Sequence, residues 1–237
     1  MPTLMTRATF DELAKIRDTL GAGPLAPVAE NERLAGILVP WAGPRLKTEG
    51  GIYYVGMATA GLYMGDDDPP TFDAQLQLAE SLCVNNRNLE HSPFWQFLDG
   101  LSWALLGAPF NETSDSWGWS NLFKIGWSSI NNPSNWRQPL IGDQRDVCIA
   151  ALNEEFVQLH DSLIIIASGE RFGLIEKYED KWNKDYEETG VWSFTDANSH
   201  NLYVTCYHPR YLVSGGRVWG SALGYTIHLA RTMPRFA

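Results

Sequence analysis

The run Leu163-Ile164-Ile165-Ile166-Ala167 is apolar without interruption and rich in β-branched residues. A strand with one wet face alternates apolar and polar side chains, so a run with no alternation must be covered on both faces. Sheets covered on both faces are built mainly from parallel strands, because the crossover helices between such strands supply the cover. The neighbouring sequence has the required pieces. "GIYYVG" (51–56), "WGWSNLFKIG" (117–126) and "NLYVTC" (201–206) read as further strands. "PTFDAQLQLAESLCVNNRNL", "SPFWQFLDGLSWALLG", "DQRDVCIAALNEEFVQLH" and "RVWGSALGYTIHLARTM" carry apolar residues at helical spacing. Strands alternating with helices predict an α/β fold, a three-layer αβα arrangement around a short, mostly parallel sheet of about four strands.

Residues 51–237 are expected to form this domain, with residues 1–50 as an N-terminal helix and irregular extension packed on it. The helix is "TFDELAKIRDTLG", with Thr9 as its N-cap, an acidic first turn and a closing glycine. The Pro- and Gly-rich stretch "AGPLAPVAENERLAGILVPWAGPRLKTEGG" predicts a surface connection. Polar "EKYEDKWNKDYEETG" predicts a solvated insertion within about residues 174–200.

Composition narrows the function classes. No run is apolar enough to span a membrane, and "MPTLMTRATF" lacks the basic-then-apolar pattern of a secretory signal, so the expected location is cytoplasmic. Three scattered cysteines offer no Cys-x-x-Cys pair and no disulfide framework. The five histidines include no metal-ligand spacing, so neither a metal nor another cofactor is expected. The net charge of −10 opposes promiscuous binding to polyanions, although a local basic or polar face can still meet one. Ten tryptophans supply core and rim bulk, and some are candidates for stacking on a base or sugar.

Familiar nucleotide and hydrolase fingerprints are missing. "GMATAG" has neither the G-x-G-x-x-G spacing nor a phosphate-loop lysine, and "ASGERFG" is not a nucleophile elbow. Glu154-Glu155 reads as the wet face of a helix. Asp66-Asp67-Asp68, before Pro69-Pro70, reads by residue type first as turn formers and N-caps, and only secondarily as acids for catalysis. In a parallel sheet the ligand site lies beyond the carboxyl ends of the strands. That rule singles out three segments as loops: Gly56 to Asp68, Asn121 to Trp127, and His208 to Tyr211.

Taken in order, a glycine-containing loop after the first strand, "SPFWQFL" opening a helix, "SNLFKIG" ending the second strand, "LIIIASG" and finally "HPRYL" form a series. This series resembles the uracil-DNA glycosylase superfamily from about Ile52 to the C-terminus. The resemblance implies a fold of that family and hydrolysis of the N-glycosidic bond of uracil, or a related deaminated base, flipped out of DNA. It makes DNA the implied partner. Asn121 matches the asparagine that reads the pyrimidine edge, and His208 matches the histidine that stabilises the departing base's oxygen. Gly56, Met57 and Ala58 align with the first motif, Tyr63 and Phe72 are candidates for the stacking face, and Arg210 for a phosphate or duplex contact. Met57 stands where several members carry an acid or amide that activates water, and Thr59 where proline is usual. Asp66, a little later in the loop, is the candidate for that activating role. The serine of the usual His-Pro-Ser motif is replaced by Arg210, and the four cysteines of cluster-bearing members are missing.

Plainer readings stand beside each of these. Asn121 can cap a strand end, His208-Pro209 can be a simple turn, Tyr63 and Phe72 can be core, and Arg210 can be an ordinary surface residue. Two other functions compete with excision. One is a superfamily member without glycosylase activity that binds a nucleobase, nucleotide or protein partner in the same cleft. The other is a carbohydrate-active protein with tryptophan platforms and two carboxylates.

Overall fold

The computed structural model describes residues 3–22, 32–58, 71–85, 93–129, 138–167, 191–207, 209 and 219–237. Its elements run α1 (Arg7–Ala22), β1 (Glu32–Ile37), β2 (Trp41–Ala42), α2 (Leu46–Glu49), β3 (Ile52–Ala58), α3 (Phe72–Asn85), α4 (Pro93–Leu106), β4 (Trp117–Phe123) and β5 (Ile125–Ser129). They continue with α5 (Gln138–Phe156), β6 (Leu163–Ile166), β7 (Val191–Thr195), β8 (Leu202–Cys206) and α6 (Trp219–Ala230). The α/β class holds, but the main sheet has six strands in the order β2-β4-β3-β6-β8-β7, and β1 and β5 form a separate antiparallel pair.

The sheet is mixed. β3, β6 and β8 are parallel neighbours, and β7 closes the edge antiparallel to β8. The expected count of about four strands therefore falls short by two in this sheet. β2 has only two residues, too short for any periodicity to register, and β7 lies in the stretch read as an insertion. β1 likewise lies inside the segment read as an irregular connection.

The described chain divides into two compact units. The second comprises Ala42–Gly56, Cys83–Trp119 and Val157–Ala237. Its centre is the parallel trio. Ile52 to Val55, Leu163 to Ile166 and Leu202 to Val204 are almost wholly inaccessible to water, as the unbroken apolar run requires. Two glycines let β3 begin where it does. Gly50 has φ of +74°, and a side chain there would also run into the Asp161 carbonyl; one on Gly51 would meet the Ser116 carbonyl.

Asn201 fixes the starts of β6 and β8. Its Oδ1 accepts from the Ser162 amide at 3.0 Å, its Nδ2 donates to the Leu159 carbonyl at 2.9 Å, and the side chain is fully buried. Asn201→Ala leaves a buried donor and a buried acceptor unpaired, at a cost of about 2–4 kcal/mol. Urea unfolding should show this as a lower midpoint at unchanged slope. A midpoint equal to wild type would remove the clamp from the account.

On α4, Pro93 occupies the first helical position, where its missing N–H costs nothing. Phe94 and Trp95 follow and open an aromatic chain. Phe94 meets Tyr54 edge-on at 4.6 Å, Trp95 packs on Phe110 at 5.5 Å and Trp119 at 6.1 Å, and Phe110 reaches Trp117 at 5.1 Å. Four tryptophans, at 41, 95, 117 and 119, are thus core, whereas Trp103 on α4 is exposed.

The first unit comprises Met1–Trp41, Met57–Leu82 and Ser120–Phe156. Here α1 packs on α5 and on β1, burying Phe10, Leu13 and Leu20. The helix begins one turn before the sequence reading placed it. Thr6, rather than Thr9, caps it by accepting from the Thr9 amide at 3.2 Å. Thr9 is occupied elsewhere, its hydroxyl donating to the Glu154 carboxylate on α5 at 2.9 Å.

Candidate functional site

The registers of β3, β6 and β8 decide where the sheet's carboxyl edge lies. Val55 pairs with Ile166 and Ile166 with Thr205, so the carboxyl ends of the three parallel strands lie along one edge, with β3 running on to Ala58 and β8 to Cys206. The register at this edge is secured by the Ala167 amide donating to the Val55 carbonyl at 2.9 Å and by the Thr205 hydroxyl donating to the Ile166 carbonyl at 3.0 Å. Gly56, still within β3, and Tyr207, just past the end of β8, therefore lie at the same edge with one strand between them, roughly 10 Å apart at the usual strand spacing. Tyr207 is the residue before His208. Pro209, the residue after it, is buried.

The sequence-predicted residues are distributed as follows. Gly56 is a buried residue of β3, and Met57 and Ala58 prolong that strand instead of opening a loop. Tyr63, Asp66, His208 and Arg210 lie outside the described residues. Phe72 is buried at the start of α3, edge-on to Phe10 at 5.4 Å, with the Arg7 guanidinium 4.7 Å from its ring centre. Arg7 in turn makes an ion pair with Asp73 at 2.7 Å. Phe72 thus joins α1 to α3.

Asn121 is buried within strand β4, two residues before its end, and the expected Asn121 to Trp127 loop is instead β4 running into β5. The chain passes from β4 into β5 through a single residue, Lys124. This junction gathers several buried polar groups. The Lys124 ammonium, fully buried, pairs with the equally buried Glu155 of α5 at 2.7 Å. It also donates to the Asn121 carbonyl at 2.7 Å and to the Ser120 hydroxyl. The Lys124 amide donates to the Cys148 sulfur at 3.5 Å, and its carbonyl accepts from the Leu38 amide at 2.8 Å. Gln144, one turn before Cys148 on the same face of α5, holds the next residue by both its groups: it accepts from the Ile125 amide and donates to the Ile125 carbonyl, each at 2.9 Å.

Glu155 is therefore no wet-face residue; it is a buried counter-charge. Its position was visible in the spacing. Cys148, Ala151, Leu152, Glu155, Phe156 and Leu159 follow the apolar stripe of the helix, with the carboxylate inside the stripe. Lys124 gave a similar signal as a lone charge inside "NLFKIGW".

The cysteines are chemically quiet. Cys83, Cys148 and Cys206 are buried and form no disulfide. Burial pushes the Cys148 thiol up to about 11 and the Cys206 thiol up to about 12, and the Tyr54 phenol is pushed well above its ordinary value for the same reason. Among the described residues no group of three or more histidine, cysteine or acidic side chains is arranged to hold a metal. No helix among them is long and apolar enough to cross a membrane.

No protein-family profile matches the chain, and no curated protein matches it. Among solved structures, wild-type SMUG2 of Pedobacter heparinus is similar over 94% of this chain and 97% of its own, at 10% identity and a TM-score of 0.46. At that score the superposition is too loose to assign a family.

Proposed function

We propose that this protein is a DNA glycosylase of the uracil-DNA glycosylase type, hydrolysing the N-glycosidic bond of uracil or a related deaminated base. The observation that supports this reading best is the parallel alignment of β3, β6 and β8, which puts their carboxyl ends on one edge. β3 ends at Ala58 and β8 at Cys206 on this same side of the sheet, where open α/β sheets bind ligands. In this reading His208 stabilises the oxygen of the departing base, the Asn121 amide reads the pyrimidine edge, and Asp66 activates the water that attacks the sugar carbon. Gly56, Met57 and Ala58 line the approach and Tyr63 forms the stacking wall, whereas Phe72, packed between α1 and α3, is core. Arg210 meets the DNA backbone, a local contact that the net charge of −10 does not provide on average.

Single- and double-stranded oligonucleotides carrying one uracil, incubated with the protein and then treated with alkali, give the test. The reading predicts strand scission at the uracil. His208→Ala and Asn121→Ala are each expected to reduce the rate by about a hundredfold or more, the usual effect of removing an oxyanion or orienting group. No scission at high protein concentration would instead favour a member that holds a base without cutting it out, consistent with Met57 in place of an acid. Scission that survives both substitutions would refute the assigned site.

A further inference from the structure

Lys124 contributes no obvious packing that an apolar residue could not supply, yet it is fully buried with its ammonium committed to three partners. A buried ion pair is weak support for stability, since apolar side chains of similar volume do as well or better. Its geometry does something else. Two of the three partners, the Ser120 hydroxyl and the Asn121 carbonyl, belong to the last residues of β4 itself. The third, Glu155, anchors the ammonium to α5, which also grips Ile125 through Gln144. The backbone of Asn121 is thereby tied to a helix that carries, between Gln144 and Glu155, three separate holds on the β4–β5 junction: Gln144, Cys148 and Glu155.

We infer that Lys124 is a positioning residue that fixes the Asn121 backbone, and so the direction of its amide side chain, through the Glu155-anchored ammonium. The inference rests on the proposed role of Asn121 in reading a base. A shift of about 1 Å in a group that orients substrate costs on the order of a hundredfold in rate. Holding the carbonyl of the reading residue by a charge-assisted bond is a direct way to prevent that shift.

The test uses Lys124→Met combined with Glu155→Met, which removes the charges as a pair and keeps the volume, so that folding is retained. Two signals are read on the full chain: kcat and KM for a uracil-containing single strand, and the Asn121 side-chain NH2 resonances, assigned by their loss in Asn121→Ala. The expected result is a kcat lower by about a hundredfold with KM changed far less, together with shifted or broadened Asn121 resonances in an otherwise preserved spectrum. An unchanged Asn121 resonance pair in the folded double variant overturns the inference, and so does an unchanged kcat. If the wild-type protein excises no uracil, the functional proposal fails, while displaced Asn121 resonances in the double variant still support the positioning role. Should the double variant not fold, Ser120→Ala, which removes one Lys124 acceptor and no charge, is read by the same two signals.

Discussion

Replacing Lys124 alone by Met is expected to destabilise the protein by about 3–5 kcal/mol, because it strands the Glu155 carboxylate in the interior without its counter-charge. Both side chains are completely inaccessible to water, so neither can turn outwards to recover hydration without disrupting the β4–β5 junction. For a chain of this length such a loss lowers Tm by roughly 6–20 °C. Glu155→Met alone should cost a similar amount, since it strands the ammonium. The combined substitution is the informative one. Removing both charges leaves no unpaired ion, so the double variant should be close to wild type and clearly more stable than either single change, giving a coupling of about 3 kcal/mol or more in the double-mutant cycle. Additive losses would mean that the two groups do not depend on each other, contrary to their 2.7 Å separation.

Stability should also collapse on the alkaline side. In the unfolded chain the two thiols release their protons near the ordinary value of 9.0; in the folded chain Cys148 does so only near 11 and Cys206 near 12. Between these values the unfolded state binds fewer protons than the folded one, so the thiols favour unfolding as pH rises. Their contribution is fully retained below pH 9 and is lost progressively from there to about pH 12. By pH 11 the combined loss is on the order of 5 kcal/mol, comparable with the whole stability of many domains. The buried Tyr54 phenol, raised in the same direction, adds to it. Urea midpoints recorded at pH 8, 9, 10 and 11 should therefore stay level at first and then fall steeply. Cys206→Ala should flatten the fall by removing the group with the widest window. A midpoint that holds constant to pH 11 would contradict the burial of these thiols.

What the sequence displayed and what it concealed have a common physical cause. β3, β6 and β8 were legible because a strand buried on both faces is apolar at every position, a pattern that belongs to the segment itself. β7 and β1 were not, because each is an edge or paired strand defined by its partner. Val191-Trp192-Ser193-Phe194-Thr195 becomes a strand by pairing with β8, and Glu32–Ile37 by pairing with β5. Asn121 was assigned to a loop, and a lysine three residues on gives no cue that the chain is still buried. In fact the lysine is inside, and the chain moves directly into β5. Glu155 was misplaced by the same assumption, that charge means water. The rule fails when two opposite charges reach each other from elements distant in sequence, as β4 and α5 do here. His208, Tyr63, Asp66 and Arg210 remain proposals from motif order, supported by the shared edge from which their segments leave the sheet.

The most direct measurement is the product of the reaction itself. A single-stranded oligonucleotide with one uracil, incubated with the wild-type protein and analysed by mass spectrometry without alkali, should yield free uracil and an intact strand in which that base is replaced by a hydroxyl. His208→Ala should slow the appearance of both products together. An unaltered oligonucleotide after prolonged incubation with excess protein, under conditions where the protein is folded, would contradict the account.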